Sequence, residues 1–420
     1  MKVLEKYKYK KEYKKLILSA YFFYIAVVAI KLTYSAQMVE IISYFKTTKS
    51  QVATGLTIYY FVYAVAQFTL GLFVHKLDMK KFLTITCALS AISFAMIGIT
   101  SSLWQVWLIF GLNGIFQSAS WGGLIHVLGK RLPVDTLSFV NKFLTTGFAI
   151  GNSLTYALSA LFVAFLSWKI TFVFIGVLFL ISLVNLMHKE RLVKKVTEKG
   201  DEVKPDYSSA NRKEFLIPEG RKFNVKALSA YLLFMAFLTN CLSYGFANWI
   251  AVLLKEVHSF PVALSILITL IVPLVEMPAR LFVMNYFDRT NRIFSTGSLY
   301  SFITLILLGI MIFFYDLSLV FAIAMCVLLR FFISGFVSGY STYTAMKLKN
   351  YLNLGTASLV NNSGAAVGAG IMPLITAFVM DSLGWQAYYI FLTALCALAF
   401  IVAFSGYLVV KKKGVISDCF

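Results

Sequence analysis

Charge, and acidic charge above all, is scarce in this sequence. Asp, Glu, Lys and Arg make up 13% of the 420 residues, and only 18 acidic residues stand against 38 basic ones. Water-soluble domains carry about 25% charged residues, so the composition excludes an ordinary soluble protein. Apolar runs of about 20 residues recur along the chain, and each is long enough to cross a bilayer as a helix. The sequence therefore predicts a multi-pass, all-α membrane protein.

Clustered cysteines and nucleotide-binding loops are also missing. The five cysteines are scattered, and there is no Cys-x-x-Cys pair and no His/Cys cluster. This pattern supports neither a disulfide framework nor a metal site. The sequence has no GxxxxGK[ST] loop for ATP and no nucleophile–base constellation typical of an enzyme. We therefore expect a protein that is not an enzyme and has no cofactor, no metal and no catalytic residue.

Twelve transmembrane helices are predicted, although counts of eleven to thirteen also fit the apolar pattern. The approximate limits of the spans are 16–42, 52–74, 82–101, 104–128, 138–163, 168–187, 228–254, 262–286, 293–314, 317–345, 355–381 and 384–410. Helices satisfy their own backbone hydrogen bonds, as a spanning segment in lipid must.

The basic residues follow the positive-inside pattern. Seven lysines lie within the first fifteen residues, and further basic clusters occur near 75–81, 130–131, 188–227, 288–292, 347–349 and 411–413. With twelve spans these clusters all fall on one side, which predicts cytoplasmic termini in the cell membrane. Their placement favours anionic lipid over nucleic acid as the partner of the basic segments. The first apolar run is too long for a cleavable signal and is predicted to be a retained helix.

The chain divides into two similar halves. Residues 188–227 contain 18 charged residues and are predicted to be a cytoplasmic linker between six-helix bundles at 1–187 and 228–420. Three identical pairs lie at one offset of 217 residues: Gly147 with Gly364, Gly151 with Gly368, and Trp168 with Trp385. Two related six-helix halves are typical of a secondary transporter with its site near the midplane between them.

This organisation resembles the major facilitator superfamily along almost the whole chain. The segments "GLFVHKLDMKK" from Gly71 and "MNYFDRTNR" from Met284 correspond to that family's repeated cytoplasmic loop motif. His75 and Lys76 replace the motif's usual aspartate and arginine, whereas Asp288 and Arg289 are nearer to it. The resemblance implies two pseudo-symmetric six-helix bundles that work by alternating access, usually as a monomer.

Three stretches are most similar to the organophosphate:phosphate antiporters of that superfamily. They are "GIFQSASWGGLIHVLGKRLP", "LSYGFANWIAVLLKEV" and "GTASLVNNSGAAVGAG". That branch holds phosphate with basic residues in its first and seventh helices. Lys31 falls on the first of these positions and Ser243 on the second. The stretch "LVEMPARLF" instead resembles monocarboxylate transporters, in which the eighth-helix arginine pairs with a carboxylate substrate and the acid takes part in proton coupling.

Four ionisable residues lie within the apolar spans: Lys31, Glu276, Arg280 and Arg330. Each ionised group costs about 2.5–3.5 kcal/mol at the centre of a membrane helix, so such groups usually face a protein interior or a cavity. Glu276 and Arg280 are four residues apart and can touch on one helix face. Three cations against one acid leave a positive surplus, which suits an anion.

We expect two kinds of site residue. Proton coupling is assigned to Glu276, because protonation would release Arg280. Substrate binding is assigned to Lys31, Arg280, Tyr34, Gln117, Trp121, Arg330 and Asn362. A purely structural Glu276–Arg280 ion pair remains an alternative, as do helix packing by Arg330 and packing roles for the aromatic and amide residues.

The predicted function is secondary active transport of a small organic anion, an organophosphate or a carboxylate. Both proton symport and anion antiport remain open. A transporter-like sensor that binds an anionic metabolite and signals to a partner is the alternative. Efflux of cationic drugs requires an acidic cavity, which the surplus of basic residues disfavours.

Overall fold

The computed structural model describes residues 10–73, 77–132, 134–197, 225–290, 293–343 and 354–413. These residues form helices and connecting loops, and no strand occurs among them. The helices, numbered in chain order, are α1 (Lys10–Phe45), α2 (Lys49–Phe73), α3 (Met79–Met96), α4 (Leu103–Gln117), α5 (Ser120–Gly129), α6 (Val134–Phe165), α7 (Trp168–Thr197), α8 (Val225–Ala247), α9 (Ile250–Glu256), α10 (Val262–Thr269), α11 (Ile271–Thr290), α12 (Ile293–Phe314), α13 (Leu319–Val337) and α14 (Leu354–Lys413).

The membrane-spanning helices agree with the twelve predicted spans. Within the described residues, ten helices are long and apolar enough to cross a bilayer. One of them, in α14, contains Gly384 with φ 83° and ψ −177°, a conformation that interrupts the helix and divides it into two spans. The predicted fourth span is present as α4 and α5, which meet at Ser118 and Ala119. Counting α14 as two spans, and adding α4 and α5 together as one span, raises the number from ten to twelve.

The end of α7 and the start of α3 lie in polar rather than apolar sequence. Helix α7 continues beyond the predicted limit at residue 187 to Thr197, and Glu190 in this extension is buried. The Glu190 carboxylate accepts a hydrogen bond from Arg131 Nε at 2.7 Å and another from Lys80 Nζ. This ion-pair cluster joins α7 to the start of α3 and to the turn that follows α5.

Helix α3 begins at an exposed aspartate in the first of the two loop motifs. The Asp78 carboxylate accepts hydrogen bonds from the backbone N–H groups of Lys80 and Lys81. The Lys81 bond above all favours the ionised form and holds the pKa of Asp78 below its usual range. Asp78 thus caps the helix N-terminus, where a negative charge is favourable.

The chain forms two compact units. The first comprises Met1–Gln37 with Val62–Glu214, and the second comprises Met38–Phe61 with Phe215–Phe420. Within the second unit, the Asp381 carboxylate accepts hydrogen bonds from the backbone N–H of Ser50 at 2.8 Å and of Lys49 at 3.3 Å. Lys49 Nζ lies 3.0 Å from Glu256 Oε2. These contacts explain why the start of α2 groups with the C-terminal helices.

The repeated glycines pack in the same way in both units. A Cβ on Gly151 of α6 would lie 3.0 Å from the Ile25 carbonyl oxygen of α1. A Cβ on Gly368 of α14 would lie 2.8 Å from the Phe237 carbonyl oxygen of α8. Small residues permit such close approach of helices in membranes. The 217-residue repeat is therefore a structural repeat of helix contacts.

We predict that Gly368→Ala destabilises the second unit. The added methyl group would meet backbone atoms that cannot rotate away, and overpacking of this kind costs about 1–3 kcal/mol. Gly309→Ala is the matched control, because a Cβ there would meet no atom within 4 Å. Thermal unfolding of the purified variants should show a lower midpoint for Gly368→Ala and an unchanged or higher one for Gly309→Ala. Equal midpoints would contradict the packing argument.

Candidate functional site

The second unit contains a cluster of three ionised side chains on two apolar helices. Glu276 and Arg280 lie one turn apart on α11, and Arg330 lies on α13. Arg280 Nη2 donates a hydrogen bond to Glu276 Oε2 at 3.1 Å, as the i,i+4 spacing predicts. Arg330 Nη2 forms an ion pair with the other carboxylate oxygen, Glu276 Oε1. The carboxylate is thus shared between two guanidinium groups.

Each helix presents a matching pair of polar residues to the other. Arg280 Nε donates to Ser334 Oγ at 2.9 Å, and Ser334 lies four residues after Arg330 on α13. The pair Glu276 and Arg280 on α11 therefore contacts the pair Arg330 and Ser334 on α13. Because residues four apart share one helix face, these four side chains form one cluster.

A third helix, α8, also contacts Arg330. Arg330 Nη1 donates to the Ser243 carbonyl oxygen at 2.9 Å and to Ser243 Oγ at 3.1 Å. Ser243 is buried on α8, at the position where the resemblance to the organophosphate antiporters implies a basic residue. In this chain a guanidinium group from α13 reaches that position.

The three charged residues of the cluster, Glu276, Arg280 and Arg330, carry surplus positive charge. Two guanidinium groups against one carboxylate leave one unit of positive charge among apolar helices. The cations differ in access: the side chain of Arg280 is 35% exposed, whereas those of Arg330 and Glu276 are 3% and 8% exposed. Buried charges are tolerated where they are paired and hydrogen-bonded. Of the two cations in the cluster, Arg280 is the one whose side chain is partly exposed.

The first unit contains the remaining predicted cation. Lys31 lies mid-way along α1 and is partly exposed, with its Nζ 5.0 Å from the centre of the Tyr63 ring on α2. A cation over an aromatic face is stabilised by the ring quadrupole, most strongly where water is scarce. Trp121, one of the predicted site residues, is partly exposed and its ring centre lies 4.9 Å from that of Tyr24 on α1.

Two other predicted site residues lie in the interior of the first unit. Tyr34 is fully buried and stacks on Phe110 with 4.5 Å between ring centres. Gln117 is buried and donates to Ser90 Oγ at 2.9 Å, while its carbonyl oxygen accepts from Ser120 Oγ. Both side chains therefore have packing and hydrogen-bonding roles between helices. Asn362 lies outside the residues whose side chains the structure describes.

Sequence reasoning missed several partners of the charged residues. The contact of Arg330 with Glu276 joins two helices that are about 50 residues apart in sequence, and no short spacing reveals it. Ser334 has a signal, since it follows Arg330 by four residues. Tyr63 has none, because it is one of several tyrosines in α2. Among the described residues no group of three His, Cys, Asp or Glu side chains is placed to hold a metal ion.

The sequence pattern of the Major Facilitator Superfamily matches residues 16–357. The chain belongs to the major facilitator superfamily. It is consequently a multi-pass membrane protein of a transporter family, and its twelve spans are those of the major facilitator fold.

Solved structures of superfamily members agree with this fold. A bacterial homologue of the human lysosomal transporter Spinster, in an inward-facing and occupied conformation, matches with a TM-score of 0.74 and 12% identity over 92% of this chain and 95% of that one. The nucleoside transporter NupG matches with a TM-score of 0.69 and 13% identity over 94% of this chain and 98% of that one. At these identities the likeness is one of fold.

A curated superfamily relative resembles part of the chain. The glucose-6-phosphate exchanger SLC37A2 of Danio rerio is 25% identical over 121 residues, which cover 28% of this chain. The match spans only 24% of that protein's length. This partial likeness accords with the similarity to organophosphate antiporters that the sequence motifs indicate.

Proposed function

We propose that this protein is a secondary active transporter of a small organic anion. The observation that carries the proposal is the surplus positive charge of the Glu276, Arg280 and Arg330 cluster, in which Arg280 is accessible. Lys31 adds a second partly exposed cation in the first unit. Unbalanced cations within apolar helices are costly, and a transported anion that supplies the missing negative charge offsets this cost.

An arginine is well suited to the anions under consideration. Its planar guanidinium group donates two parallel hydrogen bonds to a carboxylate or a phosphate, whereas lysine provides a compact point charge. The partial likeness to a glucose-6-phosphate exchanger favours phosphate-bearing anions as the first substrates to test. The Glu276–Arg280 pair keeps carboxylates as the second class.

Energy for transport comes from a gradient or from exchange in this proposal. One mode is proton symport, in which Glu276 takes up a proton and releases Arg280 to the substrate. The other is antiport, in which the protein changes from one access state to the other only when an anion is bound. The protein acts as a monomer in the cell membrane. Both of its termini lie in the cytoplasm, as the positive-inside pattern favours.

The test combines binding and transport by the purified full-length protein. Thermal unfolding is measured with inorganic phosphate, glycerol 3-phosphate, glucose 6-phosphate and lactate, followed by uptake and counterflow of the best ligand in proteoliposomes. We expect at least one anion to raise the unfolding midpoint, because a ligand that binds the native state stabilises it by mass action. Cationic and neutral solutes of similar size are the controls and should have no effect.

Two outcomes would contradict the proposal. Absence of stabilisation by every anion tested would remove its basis in the cationic cluster. Stabilisation without uptake or counterflow would instead support the alternative of a transporter-like sensor, which binds its ligand without moving it.

A further inference from the structure

The two arginines of the cluster are not equivalent. Arg330 is almost completely buried, and its guanidinium group contacts the backbone and the hydroxyl of Ser243 as well as Glu276. Arg280 is about one-third exposed and contacts Glu276 and the hydroxyl of Ser334. Removing one partner of a buried ion pair is strongly destabilising because the other charge is left uncompensated. Arg280 is therefore the arginine that can exchange partners at lower cost.

Glu276 can lose one of its two arginine partners and keep the other. Its Oε1 atom pairs with Arg330, and its Oε2 atom accepts the hydrogen bond from Arg280. If Arg280 turns to another anion, Glu276 keeps its ion pair with Arg330. The carboxylate then still has a cation as neighbour and needs no proton to remain buried.

We propose that Glu276 is a resident counter-ion that the transported anion displaces from Arg280, and that Arg330 is a positioning residue that retains Glu276 during the displacement. Arg330 does not bind the substrate in this scheme. The inference rests on the proposed function and specifies which cation receives the substrate. It also favours anion exchange over proton symport as the coupling mode, because the Glu276 carboxylate remains ionised throughout.

The surroundings of Glu276 are consistent with this role. Among the described residues, Glu276 forms ion pairs with Arg280 from its own helix and with Arg330 from α13. The titratable Tyr388 of α14 donates its hydroxyl hydrogen to the Gly245 carbonyl oxygen at 3.0 Å. The neighbouring polar groups Ser243 and Ser334 donate or accept hydrogen bonds and carry no charge.

Three variants test the assignment: Glu276→Gln, Arg330→Gln and the double variant Glu276→Gln/Arg330→Gln. The probe is the member of the anion panel that stabilises the wild type most, and Kd is obtained from thermal-shift titrations. Glu276→Gln should bind about tenfold more tightly, or about 1.4 kcal/mol, because Arg280 no longer has a competing carboxylate. Arg330→Gln should bind more weakly, because Glu276 is then neutralised by Arg280 alone.

The double variant gives the decisive result. It lacks both Glu276 and Arg330 charges, so Arg280 is again available, and its Kd should lie within about threefold of that of Glu276→Gln, a difference of less than about 0.7 kcal/mol. An Arg330 that contacted the substrate would make the double variant bind as weakly as Arg330→Gln or not at all, which would overturn the assignment. If Arg330→Gln alone does not fold, comparison of the double variant with Glu276→Gln still decides the question.

A pH measurement gives an independent readout. Exchange by the wild type in proteoliposomes should not be accelerated by an imposed proton gradient, after correction for ionisation of the anion itself. Acceleration that is lost in Glu276→Gln would show that Glu276 carries a proton and would overturn the counter-ion role. Failure of the wild type to bind any anion in the panel is a different outcome, because it would reject the proposed function itself.

Discussion

Arg280→Gln is expected to abolish anion binding and transport while the protein remains folded. Arg280 supplies the accessible guanidinium group, and charge-assisted hydrogen bonds are worth about 1.5–3 kcal/mol each. Loss of one bidentate contact should therefore raise Kd by at least about 100-fold, or about 2.8 kcal/mol. Glu276 keeps its ion pair with Arg330 in this variant, so the cluster remains compensated. Thermal-shift titration and proteoliposome uptake provide the measurement.

Matched variants separate the loss of this contact from a general loss of charge. Lys81→Gln removes a cation whose side chain is 82% exposed and should leave Kd unchanged. Arg280→Lys keeps the charge but lacks the planar fork, so it should bind more weakly than the wild type and more tightly than Arg280→Gln. An Arg280→Gln protein that binds with wild-type Kd would show that the Glu276–Arg280 pair is only structural.

The cluster favours a binding role over a purely structural ion pair for a physical reason. Burying charged groups carries a desolvation penalty, which a structural ion pair offsets best when its charges cancel. Here one carboxylate faces two guanidinium groups, and the second of these is one-third exposed. The formal charge of these three side chains together is therefore +1. That charge is the property an anion transporter requires.

Much of the fold follows from the sequence because its determinants are local. Span length and the distribution of basic residues predict twelve helices, and the structure together with the family match confirms them. The glycine repeat predicts two similar halves, and its members Gly151 and Gly368 make equivalent close helix contacts. Interruptions of the spans were harder to predict: Ser118 and Ala119 separate α4 from α5 without a proline or a charge to mark the break.

The site could be predicted only in part because side-chain direction depends on packing between helices. The charged residues stand out from the sequence, and the Glu276–Arg280 contact follows from their spacing. The contact between Arg330 and Glu276 depends on the register of α11 against α13, which periodicity does not determine. Tyr34 illustrates the same limit, since it lies only three residues from Lys31 yet is fully buried against Phe110.

Lys31→Gln is expected to have the second large effect, because Lys31 is the only ionised side chain at the centre of the described part of α1. Its ammonium group lies over the Tyr63 ring and is partly exposed. A lysine there is costly unless it serves an ion pathway or a ligand. Glutamine keeps most of the side-chain length but removes the charge, so the purified variant should fold. We expect Kd for the anion to rise by about 30- to 100-fold, or about 2–3 kcal/mol.

A structural role for Lys31 makes a different prediction, and Tyr63→Leu distinguishes the two. This variant removes the aromatic face but keeps the ammonium group, at a cost in stability of about 0.5–2 kcal/mol for the cation–π contact. If Lys31 binds the anion by its charge, Tyr63→Leu should bind the anion with nearly the wild-type Kd, whereas Lys31→Gln should bind it about 30- to 100-fold more weakly. If Lys31 serves only to hold α1 against α2, both variants should lower the midpoint and neither should change Kd. The Kd values of the two variants therefore assign Lys31 to binding or to packing.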